Sequence, residues 1–123
     1  MANESMRFVV LRHETAEGTH WDLMLERGTA LATWRLAAAP SRDATDPIAA
    51  IRIGEHRREY LEYEGPVSGN RGTVTRYDAG LYRAIRIAET EWELEFDGQH
   101  LSGRYGLSVN GLDDPSGWTL RRL

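Results

Sequence analysis

The sequence predicts a mainly β protein, a small antiparallel β-barrel with short helical turns. Three observations lead to this prediction. Short apolar segments recur at close spacing along the 123-residue chain, and several of them alternate apolar with polar residues. Glycine, asparagine, aspartate or proline separates these segments, and few residues follow a helical period. Eight or nine short strands of this kind favour an antiparallel barrel, with a sandwich as the alternative.

The composition is typical of a folded domain. Apolar residues make up 41% of the chain, and a chain of this length can bury a core, so we predict a single domain over residues 1–123. The absence of cysteine excludes disulfides, zinc ribbons and thiol nucleophiles, and it fits a reducing, cytoplasmic location. Because no signal peptide and no apolar run of about 20 residues is present, we expect no membrane partner.

The basic residues are all arginine, 15 in number. Without lysine, the chain has no Schiff-base lysine, no P-loop lysine and no covalent lysyl-nucleotide intermediate. Codon usage is an alternative reason for this bias. The net charge of −4 does not support a bulk electrostatic attraction to nucleic acid, although it allows a local basic site.

The first half of the chain alternates strand-like segments with turns. We predict strands over residues 7–12, 19–26, 31–36 and 48–53. The last of these contains three isoleucines, and this β-branched content favours a strand over a short helix. Arg27-Gly28 predicts a turn, and the polar stretch 41–47, which is bounded by prolines, predicts a loop.

The second half begins with the charged stretch 54–63, for which we predict one or two helical turns. The glycine-rich stretch 65–72 predicts a loop, and Asp78-Ala79-Gly80 predicts a turn. Asp97-Gly98 is a strong hairpin signal. We expect strands over residues 73–77, 92–96, 101–109 and 118–123, with a loop over 110–117.

The strictly alternating stretch 19–26 organises the rest of the chain. On a strand, Trp21, Leu23 and Leu25 share one face, which predicts a core face. His20 and Asp22 share the opposite face, about 7 Å apart along the strand.

A possible metal site arises where this strand meets the preceding one. His13 ends the preceding strand, and the short connection 14–18 lets that strand fold back, so that His13 meets His20 and Asp22. Two neutral imidazoles and one carboxylate form a ligand set for Mn, Fe or Zn. The alternative is a solvated strand face, because histidine and aspartate two residues apart are common on exposed strands.

Two further residues have chemistry suited to phosphate. His56 and Tyr60 are four apart and share a face on a helical turn, where an imidazole and a phenol can bind phosphate or transfer a proton. A solvated charged turn is the alternative. Several arginines can approach a phosphate, and spacing does not choose among them: Arg12, Arg35, Arg52 and Arg71. We take Arg12 and Arg52 as the phosphate-binding candidates.

The motifs, taken in order, resemble the 3′-phosphoesterase domain of bacterial DNA ligase D. Residues 8–13, Phe-Val-Val-Leu-Arg-His, are similar to a family strand ending in Lys-His. Residues 20–26, His-Trp-Asp-Leu-Met-Leu-Glu, are similar to the family's His-Tyr-Asp-Phe-Arg-Leu-Glu strand. Further similarities follow in the family's order and extend over nearly the whole chain: Trp34, Pro40-Ser41, Glu55-His56, Tyr60, Glu64-Gly65, Gly72-Thr73-Val74, Asp78-Ala79-Gly80, residues 101–105 and Trp118-Thr119-Leu120.

The resemblance implies a small β-barrel enzyme that uses Mn²⁺, or another divalent metal, to trim DNA 3′ ends in DNA repair. The reactions implied are removal of a terminal ribonucleoside and removal of a 3′-phosphate. His13, His20 and Asp22 match the family's metal ligands, and His56 and Tyr60 match positions that contact the scissile phosphate. The implied partners are DNA or DNA/RNA 3′ ends and non-homologous end-joining proteins, with no oligomeric state indicated.

One residue departs from the family pattern. Met24 stands where the family has a phosphate-binding arginine in its metal strand. Methionine carries no charge and donates no hydrogen bond, and loss of one charged donor removes on the order of 3 kcal/mol of transition-state stabilisation. The alternative function is therefore a catalytically weak or inactive module that binds DNA ends or a repair partner on the same fold.

Overall fold

A computed structural model describes residues 5–111 and 113–123. This part of the chain contains nine strands: β1 (Met6–Thr15), β2 (Gly18–Arg27), β3 (Ala30–Leu36), β4 (Ile48–Arg57), β5 (Gly65–Pro66), β6 (Thr73–Ile87), β7 (Glu91–Asp97), β8 (Ser102–Val109) and β9 (Gly117–Arg122). A single 3₁₀ turn, Arg58–Leu61, follows β4. Among the described residues, no helix has the length and apolar character needed to cross a membrane.

The strands form a closed antiparallel barrel. Eight of them are hydrogen-bonded in the order β1-β2-β3-β4-β9-β8-β7-β6, and β6 pairs back onto β1 to close the sheet. The two-residue strand β5 adds to β6 beside this closure. The predicted antiparallel barrel is confirmed, and its closure leaves the strands of the ring without free edges.

The barrel interior is filled by large apolar side chains. Leu23 and Leu25 of β2 are fully buried in it, and Trp21 packs against it, so the predicted core face of this strand is confirmed. At its centre, the ring of Trp34 makes edge-to-face contacts with Trp92 and Trp118, with centroids 5.0 and 5.5 Å apart. Interior and exterior residues alternate along each strand of a barrel, so His20 and Asp22 lie on the outer face.

A second apolar cluster lies on the outer face of β1 and β2. It contains Val9, Leu11, Met24, Leu31, Leu61 and Val74, with Tyr60 and Val67 packed against it. The 3₁₀ turn contributes Leu61, which is 4% exposed and anchors the turn to the barrel. This cluster packs on the outer face of the barrel, next to the polar residues of β1 and β2.

The turn predicted at Asp78–Gly80 is wrong, because β6 runs through it without interruption. Asp78 is 4% exposed. Its carboxylate accepts hydrogen bonds of 2.8–2.9 Å from four backbone N–H groups, those of Ala79, Gln99, His100 and Leu101. Asp78, which resembles a turn-forming residue in the sequence, therefore holds the loop between β7 and β8 against β6 through these hydrogen bonds.

Of the one or two helical turns predicted within residues 54–63, one forms; His56 lies on β4 before it and does not share a helical face with Tyr60 as predicted. β4 continues to Arg57, where it pairs with β3 through Leu31↔His56 and Ala30↔Arg57, and only Arg58–Leu61 forms a 3₁₀ turn. Pairing with β3 satisfies the backbone of this segment and overrides its weak local preference. The hairpin predicted at Asp97-Gly98 is confirmed, since β7 and β8 pair through Asp97↔Ser102.

Candidate metal and phosphate site

The pairing of β1 with β2 brings the three predicted metal ligands together. His13 lies directly opposite His20, and Asp22 is two residues further along β2 on the same face. One ligand atom from each of the three residues lies within 4.8 Å of the others. The predicted convergence of His13, His20 and Asp22 is thus observed.

The facing atoms of these residues lack hydrogen-bond partners. His13 Nδ1 lies 3.4 Å from Asp22 Oδ2, and His20 Nε2 lies 3.4 Å from Asp22 Oδ1. Within the described residues, His13 Nδ1, His20 Nε2 and Asp22 Oδ1 are buried and accept or donate no hydrogen bond. Buried polar atoms without partners are costly, and a cation at their centre would satisfy all of them. The residues therefore fit a divalent metal.

The tautomer of His13 also suits metal binding. His13 Nε2 lies 2.6 Å from the carbonyl oxygen of Arg71. A carbonyl only accepts, so Nε2 carries the hydrogen and a neutral ring presents an unprotonated Nδ1 to Asp22. Metal-binding histidines commonly donate their other ring nitrogen to an oxygen in this way, which fixes the orientation of the ring.

The pKa of His20 is lowered, which favours its neutral form. Burial is the main effect that lowers its pKa below the ordinary value, and it outweighs the opposing attraction of Asp22. The neighbouring Arg35 and His13 lower the pKa further. Neutral imidazole is the form that ligates a metal.

A glycine positions the Arg71 carbonyl that contacts His13. Gly72 has φ +89°, and a Cβ at this residue would lie 2.0 Å from the backbone oxygen of Glu14. Only glycine lets the 67–72 loop run this close to β1. Sequence reasoning missed the role of Arg71, because a backbone carbonyl leaves no trace in residue type.

The three ligands lie in a cleft of about 800 Å³ whose walls include His56, Tyr60, Met24, Arg35 and Arg71. The rings of His56 and Tyr60 are 5.6 Å apart in an edge-to-face arrangement. His56 Nδ1 donates to the carbonyl oxygen of Gly54 at 2.9 Å, which leaves Nε2 available in the neutral ring. The structure thus brings the predicted metal ligands and the predicted phosphate-contacting pair to one cleft.

The two arginines selected from the sequence lie outside the lining of this cleft. Arg12 alternates with His13 along β1, so the two face opposite sides of the strand, and its guanidinium pairs with Glu14 at 3.4 Å. The Arg52 guanidinium lies 4.7 Å from the centre of the Trp34 ring and also contacts Trp92 and Trp118. Arg35 and Arg71 line the cleft instead.

A comparison with known families agrees with this geometry. The family model for the DNA ligase D 3′-phosphoesterase domain matches residues 12–109. The chain belongs to this family. The match includes the three candidate metal ligands as well as His56 and Tyr60, and it confirms the resemblance inferred from the sequence motifs.

Individual proteins with similar sequences are much longer than this chain. The multifunctional non-homologous end joining protein LigD of Pseudomonas aeruginosa is 28% identical over 115 residues, which is 87% of this chain and 14% of LigD. The corresponding proteins of Mycobacterium bovis and Mycobacterium tuberculosis are each 28% identical over 123 residues, covering 94% of the chain and 16% of their own length. The chain thus spans only a small fraction of the relatives that it matches.

Proposed function

We propose that this chain is a metal-dependent phosphoesterase that processes the 3′ ends of nucleic acid in DNA repair, by removing a 3′-ribonucleoside or a 3′-phosphate. The observation that carries the proposal is the convergence of three buried, unpartnered ligand atoms on His13, His20 and Asp22. Family membership and the names of the relatives, which refer to non-homologous end joining, support it. DNA or DNA/RNA 3′ ends and end-joining proteins are the proposed partners.

Mn²⁺ is the proposed cofactor, with another divalent metal as the alternative. His13 Nδ1, His20 Nε2 and an Asp22 oxygen would hold it, since two imidazoles and one carboxylate suit first-row metals. When bound, such an ion offers charge neutralisation at a phosphate oxygen and makes water more acidic.

Residues of the cleft wall would bind the phosphate and protonate the leaving group. The Tyr60 phenol would donate a hydrogen bond to a phosphate oxygen, because its ring lies beside His56 in the same cleft. His56 is oriented by its hydrogen bond to Gly54, and in its imidazolium form its Nε2 can deliver a proton to the departing oxygen. In removal of a 3′-phosphate, water forms the new bond to phosphorus while the bond from phosphorus to the 3′ oxygen breaks. In removal of a 3′-ribonucleoside, the bond that breaks runs from phosphorus to the 5′ oxygen of that nucleoside, and a 3′-phosphate is left on the DNA.

A second function, a module that binds 3′ ends without cleaving them, is favoured by one observation. Met24 is 2% exposed and occupies the cleft wall two residues beyond Asp22, where it offers no hydrogen-bond donor. A cleft with weaker stabilisation of the transition state could still bind a terminal phosphate.

The metal site is tested by titrating Mn²⁺ into the protein and following binding by calorimetry. We expect one ion per wild-type chain and loss of binding in His20→Ala. His100→Ala is the matched control, because His100 stacks on Tyr77 and does not line the cleft. If wild type and His20→Ala bind Mn²⁺ equally well, the proposed metal site is wrong.

Turnover of a DNA primer with a 3′-phosphate, in the presence of Mn²⁺, separates the two functions. The enzyme releases inorganic phosphate, and His56→Ala slows release by about 10²-fold, as loss of a general acid does, while Mn²⁺ affinity is kept. Binding of the primer without any release would instead establish the non-catalytic module.

A further inference from the structure

We infer that Arg35 is the residue that binds and orients the substrate phosphate in this chain. The inference rests on the proposed function, and it assigns the charged donor of the cleft to β3, whereas the sequence had suggested Arg12 or Arg52. It also explains how the cleft can accommodate Met24 in its wall.

The register of β2 and β3 places Arg35 beside the metal ligands. Arg35 is the direct cross-strand partner of Asp22, so both side chains leave the same outer face of the sheet. The Arg35 Nε atom lies 3.8 Å from Asp22 Oδ1, and its side chain is 43% exposed. The guanidinium therefore lies at the edge of the proposed metal site and remains open to a ligand.

Arg35 differs from the other arginines nearby in that its guanidinium forms no hydrogen bond within the described residues. Arg71, which also lines the cleft, donates from its guanidinium to the carbonyl and hydroxyl of Ser68, at 2.6 and 3.1 Å. Arg58 donates to the carbonyl of Gly28 and pairs with Glu26. Over residues 5–111 and 113–123, no hydrogen bond is formed by the Arg35 side chain, and its 3.8 Å approach to Asp22 is too long for one.

A phosphate in the cleft needs such a group. A divalent ion bound by the Asp22 carboxylate retains one net positive charge, which is less than the charge of a phosphomonoester dianion. Arg35 would supply a second positive charge and a planar set of donors that can bind two phosphate oxygens at once. Met24 lies diagonally across from Arg35, since its own partner on β3 is Thr33, and it provides neither charge nor donor.

The test is calorimetric titration of inorganic phosphate into wild type and variants, with and without one equivalent of Mn²⁺. We expect Arg35→Gln to weaken phosphate binding by about 10- to 100-fold, the usual effect of losing a charge-assisted hydrogen bond. Arg35→Lys keeps the charge but loses the planar donor set, so its affinity should fall between the two. Arg104→Gln is the matched control, because Arg104 pairs with Glu93 at 3.4 Å and does not line the cleft.

Mn²⁺ affinity, measured on the same variants, distinguishes this inference from the proposed function. Arg35→Gln should retain wild-type Mn²⁺ affinity; if it loses Mn²⁺ and phosphate together, Arg35 supports Asp22 instead, and the inference is overturned. Phosphate affinity equal to wild type in Arg35→Gln, or no measurable phosphate binding by wild type, also overturns it. If wild type binds no Mn²⁺, the metal site fails, and the metal-free titrations still decide the role of Arg35.

Discussion

At the scale of single residues, the cleft combines a candidate metal-ligand group with a methionine and an arginine beside it. His13 is held in one tautomer by the Arg71 carbonyl, and Asp22 is almost fully buried between two imidazoles. Met24 and Arg35 lie next to this group on neighbouring strands. We therefore expect phosphate binding and catalysis in the cleft to depend on whether an arginine stands at position 24 or at position 35.

Met24→Arg tests this dependence. In wild type, where Arg35 already supplies a charged donor, we expect the variant to raise release of phosphate from a 3′-phosphate primer by less than about 10-fold. In the Arg35→Gln background the same change should raise the rate by about 10²-fold, because it restores a missing donor. Met24→Leu, which keeps the apolar volume, controls for repacking against Val9 and Leu11. Equal gains in both backgrounds would contradict the assignment of Arg35.

At the scale of elements, the 67–72 loop sets the orientation of His13, one of the three candidate metal ligands. Its backbone hydrogen bond from Val67 N–H to the Gly72 oxygen, 2.8 Å long, closes the loop beside β1. The loop then presents the Arg71 carbonyl to His13. Through this contact, Gly72, which is not a candidate ligand, can influence the proposed metal site.

We predict that Gly72→Ala weakens Mn²⁺ binding by about 10- to 100-fold, as loss of an outer hydrogen-bond partner of a metal ligand usually does. The added methyl group would lie 2.0 Å from the Glu14 oxygen and displace the loop from β1. Gly69→Ala is the matched control: Gly69 also has positive φ, but its nearest contact is 3.5 Å away. Calorimetric Mn²⁺ titration checks both variants. An equal loss of Mn²⁺ affinity in both would mean that strain at a positive φ, and not displacement of the Arg71 carbonyl, weakens binding.

At the scale of the whole molecule, the barrel buries several phenol groups. Burial raises the pKa of Tyr82 to about 12, and its hydroxyl donates to the Glu26 carbonyl at 2.6 Å. Burial also raises the pKa of Tyr77 and of Tyr105. The folded barrel therefore keeps phenol protons that the unfolded chain, with tyrosine pKa values of about 10, releases earlier.

The sign of the pH dependence follows from these raised pKa values. The stabilisation is fully present below about pH 10, the unfolded pKa, and is lost as pH rises through the folded pKa. We expect the free energy of unfolding, measured in urea, to fall between about pH 10 and pH 12. Because the chain has no lysine, no side-chain ammonium group titrates in this range and adds to the effect of the tyrosines. Tyr82→Phe should show a shallower fall, and an unchanged slope would contradict the role of this phenol.

The sequence alone was sufficient to predict the barrel class, the core face of β2 and the union of His13, His20 and Asp22. These conclusions depend on the two-residue period of strands and on a connection short enough to pair β1 with β2, both of which are local properties. The same two-residue period places the side chains of Arg12 and His13 on opposite faces of β1. The actual contacts agree with this local rule and exclude Arg12 from the cleft.

Only the tertiary structure decided the rest. Arg35 enters the cleft because of the register between β2 and β3, and Arg71 because a loop distant in sequence packs on β1. Asp78 has the local character of a turn former, yet it lies within β6, since the β7–β8 loop supplies the N–H groups that its carboxylate binds. Register and loop packing depend on contacts between residues far apart in the chain, and no local pattern of residue types specifies them.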